Sequence, residues 1–324
     1  MPSYVGGLRG KGGRDMKKSS RMGRREFCRR LVVGAAAGAA APGIVGGRLY
    51  GAGGPVNPYE EVALGRTGLS VSRIGMGTGM KGGMRESNQT RLGREALEAL
   101  LRGAWERGVR FFDMADLYGT HGHVASAFAK IPRERYVLCT KIWNHPNGLP
   151  EPERPDAATV VERFRKELRT DVLDIVQLHC MSSGTWPASE KRNMDLLEDL
   201  KAKGVIRAHG VSCHSLAALE AAAGSPWVDV VHARINAFGE KMDGAPEKVA
   251  PVLRRLHEAG KGVVGIKLVG EGRFRDEPAK RSESVRYVMG LGSVATMIVG
   301  FERVEEIDDF AESVRAALQD RARA

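Results

Sequence analysis

Two hydrophobic rhythms alternate along most of this chain. One is a short apolar run rich in β-branched and aromatic residues, which predicts a buried strand. The other repeats apolar residues every three or four positions, which predicts a helix with one buried face. Leu97, Leu100, Leu101 and Ala104 fall at i, i+3, i+4 and i+7, so Arg94–Arg107 reads as a helix, and Gly108 just beyond it suits a C-terminal cap. The apolar run Phe111–Asp113 predicts a strand, followed by a loop holding Tyr118 and Gly119, a helix, and a strand over 137–141. A helix over 156–168 turns Val160, Val161 and Phe164 inward, and a strand covers 173–179. A long loop, a helix over 194–202 and a strand over 208–212 come next. Strands over 228–235 and 262–268 flank a leucine-bearing helix. A short helix around 285–289 leads to a strand at Thr296–Gly300, and a last helix carries Ile307, Phe310, Ala311 and Val314 at helical spacing.

Ahead of these lie two strand-like runs around the turn Gly65–Gly68, a predicted β-hairpin. The second run leads into a strand over 73–77 that ends in Gly77-Thr78-Gly79. Eight strand–helix alternations in roughly 250 residues predict an α/β fold, a (β/α)₈ TIM barrel whose N-terminal hairpin closes the bottom. The rival, a doubly wound sheet, would place a GxGxxG phosphate loop after the first strand, and Gly77-Thr78-Gly79-Met80-Lys81-Gly82 is weak support for one. In a barrel, polar residues at C-terminal strand ends line the active site. Asp113, Lys141, His179, Ser212 and Asn236 all stand at such ends, with Tyr118 five residues after Asp113. A carboxylate, a phenol and an ammonium on one sheet edge make a proton-donor group. Lysine beside a phenol is expected to lower its pKa, with Asp113 holding Lys141 charged.

The net charge of +11 changes the picture only at the N-terminus. Residues 1–48 hold 11 of the 50 Lys and Arg and 2 of the 39 Asp and Glu, a net of +9, and the remainder nets +2. The barrel region therefore gives no electrostatic reason to expect nucleic acid. Arg24-Arg25-Glu26-Phe27, basic residues before it and a weakly apolar Ala/Gly run over 31–41 ending at Pro42 resemble a twin-arginine export signal. The run is too short for a stable membrane anchor. The expected organisation is a signal region over 1–48, a Gly/Pro-rich linker over 49–58 and the barrel over 59–324. Cleavage is expected near Ala41 or within the glycine-rich stretch to Gly54, giving a periplasmic or extracellular protein delivered by the twin-arginine machinery. Cys28, Cys139, Cys180 and Cys213 form no CxxC pair, so no metal site is expected, and the last three read as buried thiols.

From about residue 59 onward the chain resembles the aldo-keto reductases. The family pattern of Asp, Tyr five residues later, Lys ending the next strand and His ending the one after is met by Asp113, Tyr118, Lys141 and His179 in FFDMADLYG, CTKIW and DIVQLH. The opening LGRTGLSVSRIGMGT is similar to the family's hairpin. The resemblance implies hydride transfer between NADP or NAD and a small carbonyl substrate. Tyr118 would be the proton donor, assisted by Lys141 and Asp113, and a neutral His179 would orient the carbonyl. It further implies a cofactor site drawn from Gly77, Thr78, Ser212, Cys213, Lys267, Gly270, Arg273, Arg303 and Asp309, with Trp143 against the substrate. Cys213 replaces the family's carboxamide-binding Asn, with His214 or Asn236 as substitutes. Ile266 replaces a stacking aromatic, and Glu306 stands where a 2′-phosphate-binding cation is usual. Loops around Lys81, Thr185-Trp186 and Phe238 are expected to shape the pocket. A second reading keeps the four residues in an exported binding or regulatory module that has lost its cofactor.

Overall fold

The computed structural model describes residues 56–323; the signal region, residues 1–48, and most of the linker lie outside the described residues. Strands β1 (Glu61–Ala63) and β2 (Ser70–Ser72) pair antiparallel, with Val62 opposite Val71. Gly65 and Gly68 turn the chain between them with φ of 58° and 72°, a region that glycine enters without a Cβ clash.

Eight parallel strands follow: β3 (Ile74–Gly77), β4 (Phe111–Asp113), β5 (Val137–Ile142), β6 (Leu173–Met181), β7 (Ile206–Cys213), β8 (Val230–Arg234), β9 (Gly262–Ile266) and β10 (Thr296–Gly300). Each pairs with the next, and β10 pairs with β3, Met297 opposite Ile74, to close the barrel. The (β/α)₈ architecture is thus present.

Strand periodicity of two decides what faces the barrel axis. Phe111, Val137, Cys139, Ile175, Ala208, Val230, Val264 and Ile298 form one buried cluster with Leu64, Leu69 and Val71 of the hairpin, which caps the N-terminal end. Leu138, Val176, Val211, Val231 and Val263 point the other way, into the layer shared with the helices. Two or four residues further along the inward tracks the side chains become polar. Phe111 leads to Asp113, Cys139 to Lys141, Ile175 to His179, Ala208 to Ser212 and Val230 to His232. The same alternation that fills the lower barrel therefore delivers the upper layer of chemistry.

The helices sit where their apolar spacing placed them. Arg94–Arg107 ends at Gly108 with φ 115°, and Ala157–Leu168 starts from Asp156, whose carboxylate accepts from Thr159 N. Several expectations need correction. The helix expected around 285–289 spans Pro278–Gly290, its start set by Pro at the first helical turn. The loop expected before 194 contains a helix at Trp186–Ser189, and the next helix begins at Lys191. The helix Leu216–Gly224, capped by Ser215, is alanine-rich and carries little apolar contrast, which hides it from a periodicity search. Among the described residues no helix is long and apolar enough to cross a membrane.

Candidate active site at the C-terminal mouth of the barrel

A cavity of about 690 Å³ opens at the C-terminal strand ends. It runs from Asp113, Tyr118, Lys141 and His179, past the loop after β9, to Asp309 and Phe310 on the last helix. Cavities of a few hundred to about 1,000 Å³ are typical of small-molecule and cofactor sites.

Asp113 ends β4 with its carboxylate nearly enclosed. Lys141 Nζ donates to Asp113 Oδ1 at 2.5 Å and to Met114 O at 2.8 Å. Burial acts to neutralise both groups, but each stabilises the other's charge. The Asp113 pKa lies well below the usual carboxylate range, with Lys141 and His232 holding it down. The Lys141 pKa lies above the usual lysine value because Asp113 outweighs burial. Thr78 supports the strand end from behind: its Oγ1 donates to Asp113 O at 2.9 Å.

Tyr118 closes a 3₁₀ turn, Asp116–Tyr118, and Gly119 takes φ 68° directly after it. A Cβ on Gly119 would lie 1.9 Å from Arg85 O, so this corner admits no other residue without moving backbone. Gly79 and Gly82 make room for the phenol ring; a Cβ would come within 2.2 Å of it at Gly79 and 2.5 Å at Gly82. Tyr118 Oη lies 3.3 Å from His179 Nε2, and Lys141 Nζ lies 5.3 Å from the Tyr118 ring centroid. The expected lowering of the phenol pKa is not what the structure yields. Burial pushes Tyr118 above the ordinary phenol value; Lys141 pulls it down, Asp113 pushes it up, and the net shift is upward. Lys141 is spent on Asp113 and Met114 rather than on the phenol oxygen.

His179 is buried and its pKa falls well below the ordinary imidazole value, through burial first and then the charge of Lys141. It is therefore neutral near pH 7, with one ring nitrogen a donor and the other an acceptor. Trp143 stands edge-on to it with ring centroids 5.4 Å apart, and Trp143 Nε1 donates to Asn147 O at 2.7 Å. Cys180 follows His179 with its Sγ 3.4 Å from His214 Nε2, and burial raises the thiol pKa to about 11. His214 lines the cavity, and burial with Arg234, Lys267 and Lys141 nearby pushes its pKa down to about 3.

The remaining residues divide. Gly77, Ser212, Lys267, Arg273, Arg303 and Asp309 line the cavity, as do Lys81 and Ile266. Thr78 does not: it is fully buried and bonded to Asp113 O and to Thr120 Oγ1 at 2.8 Å. Cys213 points outward into the helix layer, because strand alternation puts Ser212 inside and its neighbour outside. Gly270 faces Glu240 and Phe274 rather than the cavity. Asn236 has no group to spare for a ligand. Its Nδ2 donates to Glu240 O and Lys267 O, while Oδ1 accepts from Phe238 N and Glu240 N. Trp186 is core, with Nε1 donating to Ala218 O. Phe238 packs on Phe274 with centroids 5.0 Å apart.

The cavity suits a dinucleotide in size and carries cations along its length, but carboxylates already attend most of them. Lys267 Nζ is 2.6 Å from Glu271 Oε1, and Arg273 Nε is 2.8 Å from Glu240 Oε1. Arg275 bridges Glu302 Oε2 at 2.8 Å and Glu306 Oε1 at 2.5 Å, and Arg303 lies 3.5 Å from Glu306. A second inward histidine, His232, went unremarked in the sequence. A polar residue at an inward position of the apolar run VVHAR is the signal that marks it.

The sequence pattern of the Aldo/keto reductase family matches residues 73–284. A pyridoxal 4-dehydrogenase from Microbacterium luteolum is 38% identical over 86 residues, 26% of this chain and 24% of that one. A probable aldo-keto reductase 1 from Glycine max is 25% identical over 223 residues, 66% of this chain and 61% of the other. The chain thus spans less than two thirds of these relatives' lengths. In fold it is similar to the holo form of an aldo-keto reductase from Bacillus halodurans, with TM-score 0.63 and 20% identity over 81% of this chain and 96% of that one.

Proposed function

The chain belongs to the aldo/keto reductase family, and from that premise we propose that it reduces a small carbonyl compound with a nicotinamide cofactor, Tyr118 acting as proton donor. The observation that carries this reading is the contact of Tyr118 Oη with His179 Nε2 at 3.3 Å, with Lys141 Nζ, held by Asp113, 5.3 Å from the Tyr118 ring centroid. A dihydronicotinamide, when bound, would supply the hydride. Neutral His179 donates from Nε2 and, with Tyr118, fixes the substrate oxygen between them. Tyr118 holds its proton firmly until negative charge develops on that oxygen. An alkoxide is basic enough to take the proton even from this phenol. Lys141 then stabilises the phenolate, and Asp113 keeps the ammonium charged and in place. General-acid assistance of this kind contributes about 10²–10⁴-fold.

At the far end of the cavity Glu306 favours NAD over NADP. Its carboxylate pairs with Arg275 and Arg303 and stands, by the family resemblance, at the position of a 2′-phosphate-binding cation, so it would repel a 2′-phosphate and could accept from a 2′-hydroxyl. Residues 1–48 carry the barrel out of a bacterial cytoplasm by the twin-arginine route, a reading supported by the order of twin arginine, apolar run and small residues.

Titration with NADH and NADPH by tryptophan fluorescence, followed by aldehyde-dependent oxidation of the bound nucleotide in wild type and Tyr118→Phe, tests the reading. Saturable binding, with turnover lost in Tyr118→Phe, supports it. Binding of neither nucleotide would overturn it and leave a binding module.

A further inference from the structure

Asp113 has a second partner besides Lys141. His232 lies on β8, four strands from β4 in either direction around the eight-stranded barrel, and so diametrically opposite Asp113. Its side chain is fully buried and lines the cavity. Its Nε2 crosses the barrel axis to within 3.0 Å of Asp113 Oδ1, the oxygen that also receives Lys141 Nζ. The approach is oblique, and among the described residues neither ring nitrogen of His232 has an aligned hydrogen-bond partner. Leaving such nitrogens unpaired in the interior is costly, so packing alone gives no reason for a histidine here.

Asp113, Cys139 and His232 bring three potential metal-ligating atoms within 4.8 Å of one another. A cation among them would face the Lys141 ammonium, which already sits 2.5 Å from the shared carboxylate oxygen. The ammonium is the cation this cluster holds.

We infer that His232 is a positioning residue of the acid–base centre: its neutral ring, protonated on Nε2, braces the Asp113 carboxylate from across the barrel and so fixes the direction in which Lys141 points. This rests on the reductase reading for its catalytic consequence but not for its geometry. Burial and the Lys141 charge both keep the ring neutral, against the opposing pull of Asp113. A carboxylate with the Lys141 ammonium on one side and the His232 ring 3.0 Å away on the other has less room to swing than one held by a lysine alone. Gln at this position offers an N–H near the place of Nε2, and Leu offers none.

The test uses the full-length chain. Long-range ¹H–¹⁵N correlation of the imidazole rings, with His232→Gln assigning the signal, reads the tautomer in the absence of any substrate. The expected result is a neutral ring protonated on Nε2 whose resonances move in Asp113→Asn. Reduction of p-nitrobenzaldehyde should then fall roughly tenfold in kcat for His232→Leu, as the Asp113–Lys141 pair loses its fixed direction. His232→Gln should recover most of that loss. A ring protonated on Nδ1, or a kcat equal to wild type in His232→Leu, would overturn the inference. A wild-type protein that reduces no carbonyl would sink the reductase reading instead, and the tautomer would still decide the role of His232. Should His232→Leu fail to fold, the tautomer and the kcat of His232→Gln decide it.

Discussion

Lys141 Nζ and Asp113 Oδ1 stand 2.5 Å apart with both side chains less than a tenth exposed. They belong to adjacent strands, β4 and β5, with Asp113 opposite Cys139 and Lys141 two residues beyond on the same inward track. Removing one member of such a pair strands the other's charge in the interior. Asp113→Asn is therefore expected to destabilise the fold by about 3–5 kcal/mol and to lower the pKa of Lys141. Urea denaturation at neutral pH measures the first effect. A loss of stability close to zero would mean that Lys141 finds another anion or escapes to water.

The phenol is placed by glycines rather than by hydrogen bonds along its own loop. Gly79→Ala would put a Cβ 2.2 Å from the Tyr118 ring and must displace it, while Gly83 has nothing within 4 Å of its Cβ position. A displacement of about 1 Å costs on the order of 10²-fold in rate. Gly79→Ala should thus lose about that factor in kcat with its circular dichroism intact, and Gly83→Ala should match wild type. Equal rates for the two variants would show that Tyr118 placement does not depend on this contact.

Asp243 supplies a pH signature in stability. Burial raises its pKa to about 6 against the opposing charge of Arg234, whose Nε lies 3.3 Å away. The folded state therefore binds this proton more tightly than the unfolded chain. Its contribution is fully present below the unfolded pKa, near 4, and is lost as pH rises through about 6. A two-unit shift corresponds to roughly 3 kcal/mol. Between pH 4.5 and 7.5 the unfolding free energy of wild type should fall relative to that of Asp243→Asn, each measured by denaturant titration. Parallel profiles for the two proteins would rule out the shift.

Cofactor choice should follow Glu306. Wild type is expected to bind NADH more tightly than NADPH. Glu306→Gln should release Arg303, leave Arg275 with Glu302 alone, and narrow the difference by about tenfold, the scale of one charge pair brought onto a phosphate. Fluorescence titration of both nucleotides reads the ratio. If NADPH already binds more tightly to wild type, the acidic residue does not face the ribose.

Much of the barrel was legible from spacing alone. Phe111–Asp113, Arg94–Arg107 and Thr296–Gly300 have the predicted bounds, because short apolar runs and the three-to-four spacing report burial directly. The helix Leu216–Gly224 was not legible, since alanine on every face leaves no pattern. The residues that gather at the mouth, Asp113, Tyr118, Lys141 and His179, were found by their places at strand ends and in one loop. Thr78, Cys213, Gly270 and Asn236 stand near the mouth but do not line the cavity, for a different reason. A position near a strand end says that a residue is close to the site, but its facing depends on strand alternation and on which backbone groups claim it first.

The linear order of residues therefore determined the class of fold and the chemical types at the mouth, because both depend on local periodicity and on where strands stop. Three-dimensional closure decided the electrostatics. Only closure sets His232 across the axis from Asp113 and binds Lys141 to a carboxylate rather than to the phenol. It also pairs the cavity's Lys267, Arg273 and Arg275 with acids from their own and neighbouring loops. Burial and charge act through space, between residues up to a hundred or more positions apart, and no spacing along the chain encodes them.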